Sequence, residues 1–147
     1  MDRKIEKAPF NSQRRSVLTL AAGTHSLTAN ESGRLLLVSD AGGTQTILNL
    51  PAAAEGLNYT ILVTAAIANA SGLQINTSSN QSLLGISVQQ AADMADGGGD
   101  AGGAADDRLV LAQNSGLGTK IELWCDGSSW YAYALTNNAV PVYSSAQ

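Results

Sequence analysis

The sequence predicts an all-β protein, an antiparallel β-sandwich or barrel of jelly-roll type, with about ten short strands behind an extended N-terminal arm. Three observations predict it. Short apolar runs recur roughly every 8 to 12 residues. Several alternate apolar and polar side chains, as half-buried strands do. Clusters of Gly, Asn, Asp, Ser and Thr separate them. A chain of 147 residues supplies one hydrophobic core rather than two, so residues 16–147 are expected to form a single domain.

Taken in order, the runs are SVLTLAA from Ser16, RLLLVSD from Arg34, TQTILNLP from Thr44, NYTILVTAAI from Asn58 and GLQINTS from Gly72. They continue with SLLGISVQ from Ser82, DRLVLAQ from Asp107, GTKIELWCDG from Gly118, SSWYAYAL from Ser128 and VPVYS from Val140. Pro51 and Pro141 belong at strand ends or edges, where a missing N–H does least harm. His25 falls in the connection GTHSL. No internal repeat of 20 to 50 residues is visible, which argues against a solenoid or propeller. Residues 89–107, QQAADMADGGGDAGGAADD, are rich in Gly, Ala and Asp. They are predicted to be a mobile loop, since the glycines stop any helix the Ala and Gln residues would start.

Charge divides the chain. Residues 1–15 carry Arg3, Lys4, Lys7, Arg14 and Arg15 against Asp2 and Glu6, whereas the remainder carries Arg34, Arg108 and Lys120 against ten acids, within a net charge of −4. With only Ile5 and Phe10 as apolar anchors, residues 1–15 read as a basic arm that orders on an acidic protein surface. Direct nucleic-acid contact is not expected from five cations without interleaved aromatics. Charged residues make up only 14% of the chain, and a surface of neutral polar groups suits an assembled structural protein. No apolar run has signal-peptide or membrane-spanning length, so no membrane partner and synthesis in the cytoplasm are expected.

The residues that chemistry would use are sparse. Cys125, the only cysteine, lies between Trp124 and Asp126, without the cationic setting that makes a thiolate. His25 is the only histidine, so a zinc site would need carboxylates or a second chain. No G-x-S-x-G nucleophile elbow occurs. Asp93, Asp96, Asp100, Asp106 and Asp107 lack the alternation and closing glutamate of an EF-hand. GGGDAGG lacks the G-K-[ST] of a phosphate loop. No catalytic residue, metal or cofactor is expected, and the chain is read as not an enzyme.

The richest stretch is KIELWCDGSSWYAYAL, read as strand, turn, strand, with Asp126-Gly127 turning the chain and Ser128 and Ser129 widening the connection. Trp124 and Trp130 are expected near each other across it, and Tyr131 and Tyr133 on one face. Trp124, Asp126, Gly127, Trp130 and Tyr131 are expected to be structural, filling the core or a contact between subunits.

The run LTANESGRLLLVSDAGGTQTILNLPAAAEGLNYTILV, followed by GLQINT, LLGI and IELWCDGSSWYAYAL, resembles the small β-rich structural proteins of tailed bacteriophages. There a strand ending in L-P leads into A-x-x-G-x-x-Y-x-x-x-V, then I-x-T and G, and a closing L-x-x-D-G-x-x-W-Y hairpin. The match runs from Leu27 to Leu135. The resemblance implies a capsid decoration, or cement, protein on the outer surface of the virion. Such a protein would be a homotrimer that bridges neighbouring subunits of the major capsid protein and has no catalytic residues to carry over. Arg3, Lys4, Ile5, Lys7, Phe10, Arg14 and Arg15 would anchor each copy, although the arm and the loop at 89–107 lie outside the family pattern. Surplus apolar surface for the trimer is expected at Leu35 to Val38 and Val140 to Tyr143. The alternative is a head-fibre or receptor-binding module whose exposed Trp124, Trp130 and Tyr131 stack on host glycans.

Overall fold

A computed structural model describes residues 16–39, 44–78, 81–89, 99–103, 105–113, 115–136 and 142–144, without the side chains of 99, 100 and 142. The protein is all-β. In chain order the strands are β1 (Val17–Leu20), β2 (Thr24–Ser26), β3 (Leu35–Val38), β4 (Thr46–Asn49), β5 (Asn58–Val63) and β6 (Leu73–Asn76). They continue as β7 (Leu83–Gln89), β8 (Gly99–Gly102), β9 (Arg108–Leu111), β10 (Lys120–Cys125), β11 (Trp130–Thr136) and β12 (Val142–Ser144). Two open sheets form a sandwich, one ordered β1-β3-β5-β10-β11-β7-β8 and the other β12-β9-β6-β4-β2. Among the described residues the only helical segment is a 3-10 turn at Ala29–Glu31, and no helix is long and apolar enough to cross a membrane.

The sheets are mixed rather than antiparallel. β1 to β6 alternate between the two sheets, so that β1, β3 and β5 stack in parallel on one side and β2, β4 and β6 on the other. These six strands thus wind as two parallel stacks within the sandwich, in place of the expected antiparallel pairing. Val17 lies beside Leu35 and Leu35 beside Thr60, while Thr24 lies beside Ile47 and Ile47 beside Gln74. Successive coils therefore advance by unequal numbers of residues, and no period is left in the sequence. From β9 onward the chain turns back, adding antiparallel β9 to β6 and the β10–β11 hairpin to β5.

Residues 89–107 are not one continuous loop. Gln89 ends β7, and Gly99–Gly102 forms β8, which pairs antiparallel with β7. Its composition hid it, because the strand is held by backbone pairing and close approach rather than by side-chain propensity. A Cβ at Gly102 would run into the Leu83 carbonyl and the ring of Tyr143. Asp93 and Asp96 lie outside the described residues, as do all seven residues assigned to the capsid-binding arm.

One core fills the sandwich. Leu36 and Val38 from β3, Leu48 from β4, Ile75 from β6 and Leu109 from β9 are fully buried. Each such side chain contributes roughly 1.5–3 kcal/mol relative to exposure. The Trp130 and Tyr59 rings pack in the same core with centroids 5.8 Å apart and planes at 31°. The Tyr59 hydroxyl donates to the Thr28 carbonyl at 2.7 Å. Thr28 in turn donates its N–H and its hydroxyl to the Glu31 carboxylate at 2.7 and 3.0 Å. Burial, reinforced by the negative charge of Glu31, pushes the Tyr59 phenol up to about 12. On the far side, Tyr143 of β12 donates its hydroxyl to the Ala132 carbonyl of β11 at 3.0 Å, tying the two sheets together.

Candidate functional site: the outer face of the seven-stranded sheet

The burial of β11, strictly alternating from Trp130 to Thr136, decides what this sheet shows to solvent. Trp130, Ala132, Ala134 and Thr136 point inward, while Tyr131, Tyr133 and Leu135 point outward. Alternation is the rule for any strand with one face in a core. Here, however, the outward positions are also apolar. The neighbouring strands supply the same kind of residue at the same height. Trp124, Tyr131 and Leu84 form one row; Tyr133 and Ile86 stand beside Glu122; Leu135 and Val88 stand beside Lys120.

Among the described residues, eight large hydrophobic side chains are exposed, and all but Leu117 belong to this face: Val17, Ile86, Val88, Trp124, Tyr131, Tyr133 and Leu135. Ile86 is 50% exposed and Trp124 47%. Half-buried Leu35, Leu37 and Leu62 continue the face towards β1. Single exposed hydrophobics need no explanation, but a contiguous set on one sheet face marks a surface that something covers. The charged side chains on its outward positions are Lys120 and Glu122, two residues apart on β10, which form an ion pair with each other.

The hairpin that carries half of this face is built by Asp126. Its Oδ1 accepts the backbone N–H groups of Ser128 and Ser129, both at 2.8 Å, and its Oδ2 accepts the Tyr131 hydroxyl at 2.9 Å. The Ser129 and Ser128 amides, then the Tyr131 hydroxyl, hold the Asp126 carboxyl below its ordinary value. The same hydrogen bond, followed by the negative charge of Asp126, raises the Tyr131 phenol. Gly127 takes a φ of 101°, a left-handed conformation that a residue with a Cβ rarely adopts. Its N–H points at the Cys125 sulfur, 3.4 Å away.

The four-residue connection pairs Cys125 with Trp130 and Trp124 with Tyr131. Trp124 and Trp130 therefore face opposite sides of the sheet and do not meet, contrary to expectation. Trp130 is 0% exposed and is unavailable for stacking on a sugar. The apolar runs expected to provide subunit surface are also divided. Leu36 and Val38 are core residues, Leu35 and Leu37 look outward, Tyr143 is buried, and Val140 lies outside the described residues.

The remaining candidates are placed singly. Cys125 is buried, and His25 hydrogen-bonds through Nε2 to the Ala21 carbonyl at 2.7 Å. Asp106 accepts the Gly103 N–H at 2.7 Å. Among the described residues no three His, Cys, Asp or Glu side chains come together as a metal site. What sequence reasoning missed is the contribution of β7. Leu84, Ile86 and Val88 join the aromatics of β11 through a parallel pairing of strands far apart in the chain, for which no local signal exists.

No family model, no curated protein and no solved structure matches this chain.

Proposed function

We propose that the protein is a structural component of a phage virion, a decoration protein on the outer capsid surface that stabilises the shell by bridging neighbouring major capsid protein subunits. The observation that carries the reading is the apolar outer face of the seven-stranded sheet. A body that leaves seven large hydrophobics on one side is built to be covered in an assembly, and its described side chains are organised around packing. The resemblance of Leu27 to Leu135 to small phage structural proteins supplies the setting. A binder that engages the assembled lattice better than its free subunits stabilises the lattice by that difference. Copies joined as a homotrimer would present three arms, so that modest contacts by Arg3, Lys4, Ile5, Lys7, Phe10, Arg14 and Arg15 combine through effective concentration.

Immunogold labelling of phage particles carrying the chain tests this. Label over the whole shell is the expected result, and label confined to a vertex or tail overturns it. Deleting residues 1–15 should then abolish binding to shells while leaving the oligomer intact.

One observation favours the second reading, a head-fibre or receptor-binding module that recognises glycans. Trp124 and Tyr131 are exposed side by side with the Asp126 carboxylate at their edge, an aromatic platform with a polar acceptor. Glycan binding lost in Trp124→Ala with the fold retained would favour that reading over decoration.

A further inference from the structure

We infer that the outer face of the seven-stranded sheet is covered by a second copy of this chain, and that it is the contact through which the protein self-associates. The inference rests on the reading of the chain as an assembled structural protein and assigns the surface by which its copies meet.

Charge is the first argument for a copy rather than an unrelated partner. Lys120 and Glu122 neutralise each other on β10, the middle strand of the seven. Within the strands no described outward side chain carries a charge left over for a basic or acidic partner, and the Asp126 carboxylate at the edge is taken up by the Ser128 and Ser129 amides and the Tyr131 hydroxyl. The protein as a whole is charged, at −4, so its copies repel each other through their other surfaces and least through this one. A symmetry-related copy offers apolar rows to apolar rows. Near an axis it also offers the partner's Lys120 to Glu122 and the reverse, so the pair is exchanged rather than stranded.

Size is the second. Seven strands spaced about 4.8 Å apart, each rising about 3.3 Å per residue, make a face roughly 30 Å by 20 Å, or about 600 Å² before side-chain relief. That approaches the roughly 800 Å² per partner of a standard specific interface. Tyr133 within it and Trp124 and Tyr131 at its hairpin end are the residue types that anchor such contacts.

The third is that only one such face exists among the described residues. The outer side of the five-stranded sheet has half-buried Ile47 and Val110 but no exposed large hydrophobic among the described residues, and carries side-chain amides that bond to one another. One such face per chain, buried between copies around a symmetry axis, gives a closed assembly of fixed size rather than a growing fibre.

The test uses the full chain. Sedimentation equilibrium over a micromolar concentration range should give a fixed multiple of 15.1 kDa for the natural sequence. It should give the monomer mass for the double variant Ile86→Lys with Tyr133→Lys at an unchanged far-ultraviolet circular dichroism spectrum. Thr24→Lys, on the outer side of the other sheet, should keep the assembled mass. Should the double variant not fold, the natural protein itself decides. Trp124 fluorescence should lose its access to acrylamide as the concentration rises through the assembly range, and Trp124→Phe should remove that change.

A natural chain that stays monomeric throughout overturns the inference. So does an oligomer that survives the double substitution, or one in which Trp124 stays open to acrylamide. Shell binding is scored separately on phage particles. Assembly through this face without shell binding would sink the decoration reading alone, and shell binding by a monomer would sink this inference alone.

Discussion

The outer side of the five-stranded sheet carries Gln45, Gln74, Asn76 and Asn49 in one directed chain. Gln45 Nε2 donates to Gln74 Oε1 at 3.2 Å, Gln74 Nε2 to Asn76 Oδ1 at 2.7 Å, and Asn76 Nδ2 to Asn49 Oδ1 at 3.1 Å. The outer side of the seven-stranded sheet carries Trp124, Tyr131, Tyr133, Leu135, Ile86 and Val88, with no such partners among themselves beyond apolar contact. Both faces belong to strands whose inner sides fill the same core, so the core does not dictate the difference. The amides bond to one another beside half-buried Ile47 and Val110, so this side gains less from being covered. For the apolar face each covered square ångström is worth about 25 cal/mol. One fold thus separates a surface suited to water from one suited to protein, and the direction of assembly follows from which is which.

The largest expected effect lies beneath the apolar face, in the contrast between the two tryptophans. Trp130→Ala removes a fully buried ring that packs against Tyr59. It should cost about 3–5 kcal/mol of unfolding free energy. Trp124→Ala, six positions earlier and on the opposite side of the same hairpin, should leave monomer stability within about 0.5 kcal/mol, as surface substitutions do. Its effect should appear in association instead. Denaturant titration of both variants below the assembly concentration checks the pair. Equal losses would mean that the outer ring is as much a part of the fold as the inner one, and the comparison of faces would fail.

A smaller effect is expected on the other side. Asn76→Ala breaks the amide chain at a member that both donates and accepts, and should lower stability by about 1–2 kcal/mol, the worth of one or two hydrogen bonds. The oligomer should be unaffected. Sedimentation and thermal melting of the same sample separate the two outcomes. A change of mass here would put the contact between copies on the wrong sheet.

The hairpin β10–β11 was legible because its alternation is strict and Asp126-Gly127 marks the turn. The ten strands with apolar or alternating runs were legible for the same reason. β2 was not, since Thr-His-Ser has no apolar alternation and the strand is held by its parallel neighbour β4. β8 was not, since Gly-Asp-Ala-Gly has no strand propensity and depends on β7 and on the space that Gly102 leaves for Tyr143. The apolar face was half legible. Tyr131 and Tyr133 announce a shared side, but Leu35 to Val38 is apolar at both parities, and in Leu83 to Val88 the more apolar parity, Leu84, Ile86 and Val88, looks outward while Ser87 is buried, so the side that looks outward is fixed only by the second sheet. The opposition of Trp124 and Trp130 turned on the register set by a four-residue connection, which composition does not determine.

The smallest effect tests the rim of the apolar face, where the comparison is sharpest because one residue belongs to both kinds of surface. The ring of Tyr131 is part of the apolar row, while its hydroxyl donates to Asp126. Tyr131→Phe keeps the ring and removes one of the hydrogen bonds that hold the Asp126 carboxyl down. The carboxyl should therefore titrate at higher pH in the variant, still below its ordinary value because the Ser128 and Ser129 amides remain. A carboxyl depressed in the folded state contributes stability that is present above its unfolded value and lost as the pH falls through the folded one. The variant should accordingly show a smaller loss of stability on acidification through that window, and almost no change near neutrality. A carboxyl-directed NMR titration of Asp126 in both proteins reads the shift directly. An unchanged titration would mean that the hydroxyl does not hold the carboxylate, leaving Tyr131 as a purely apolar member of the face and the turn as the work of the two serine amides.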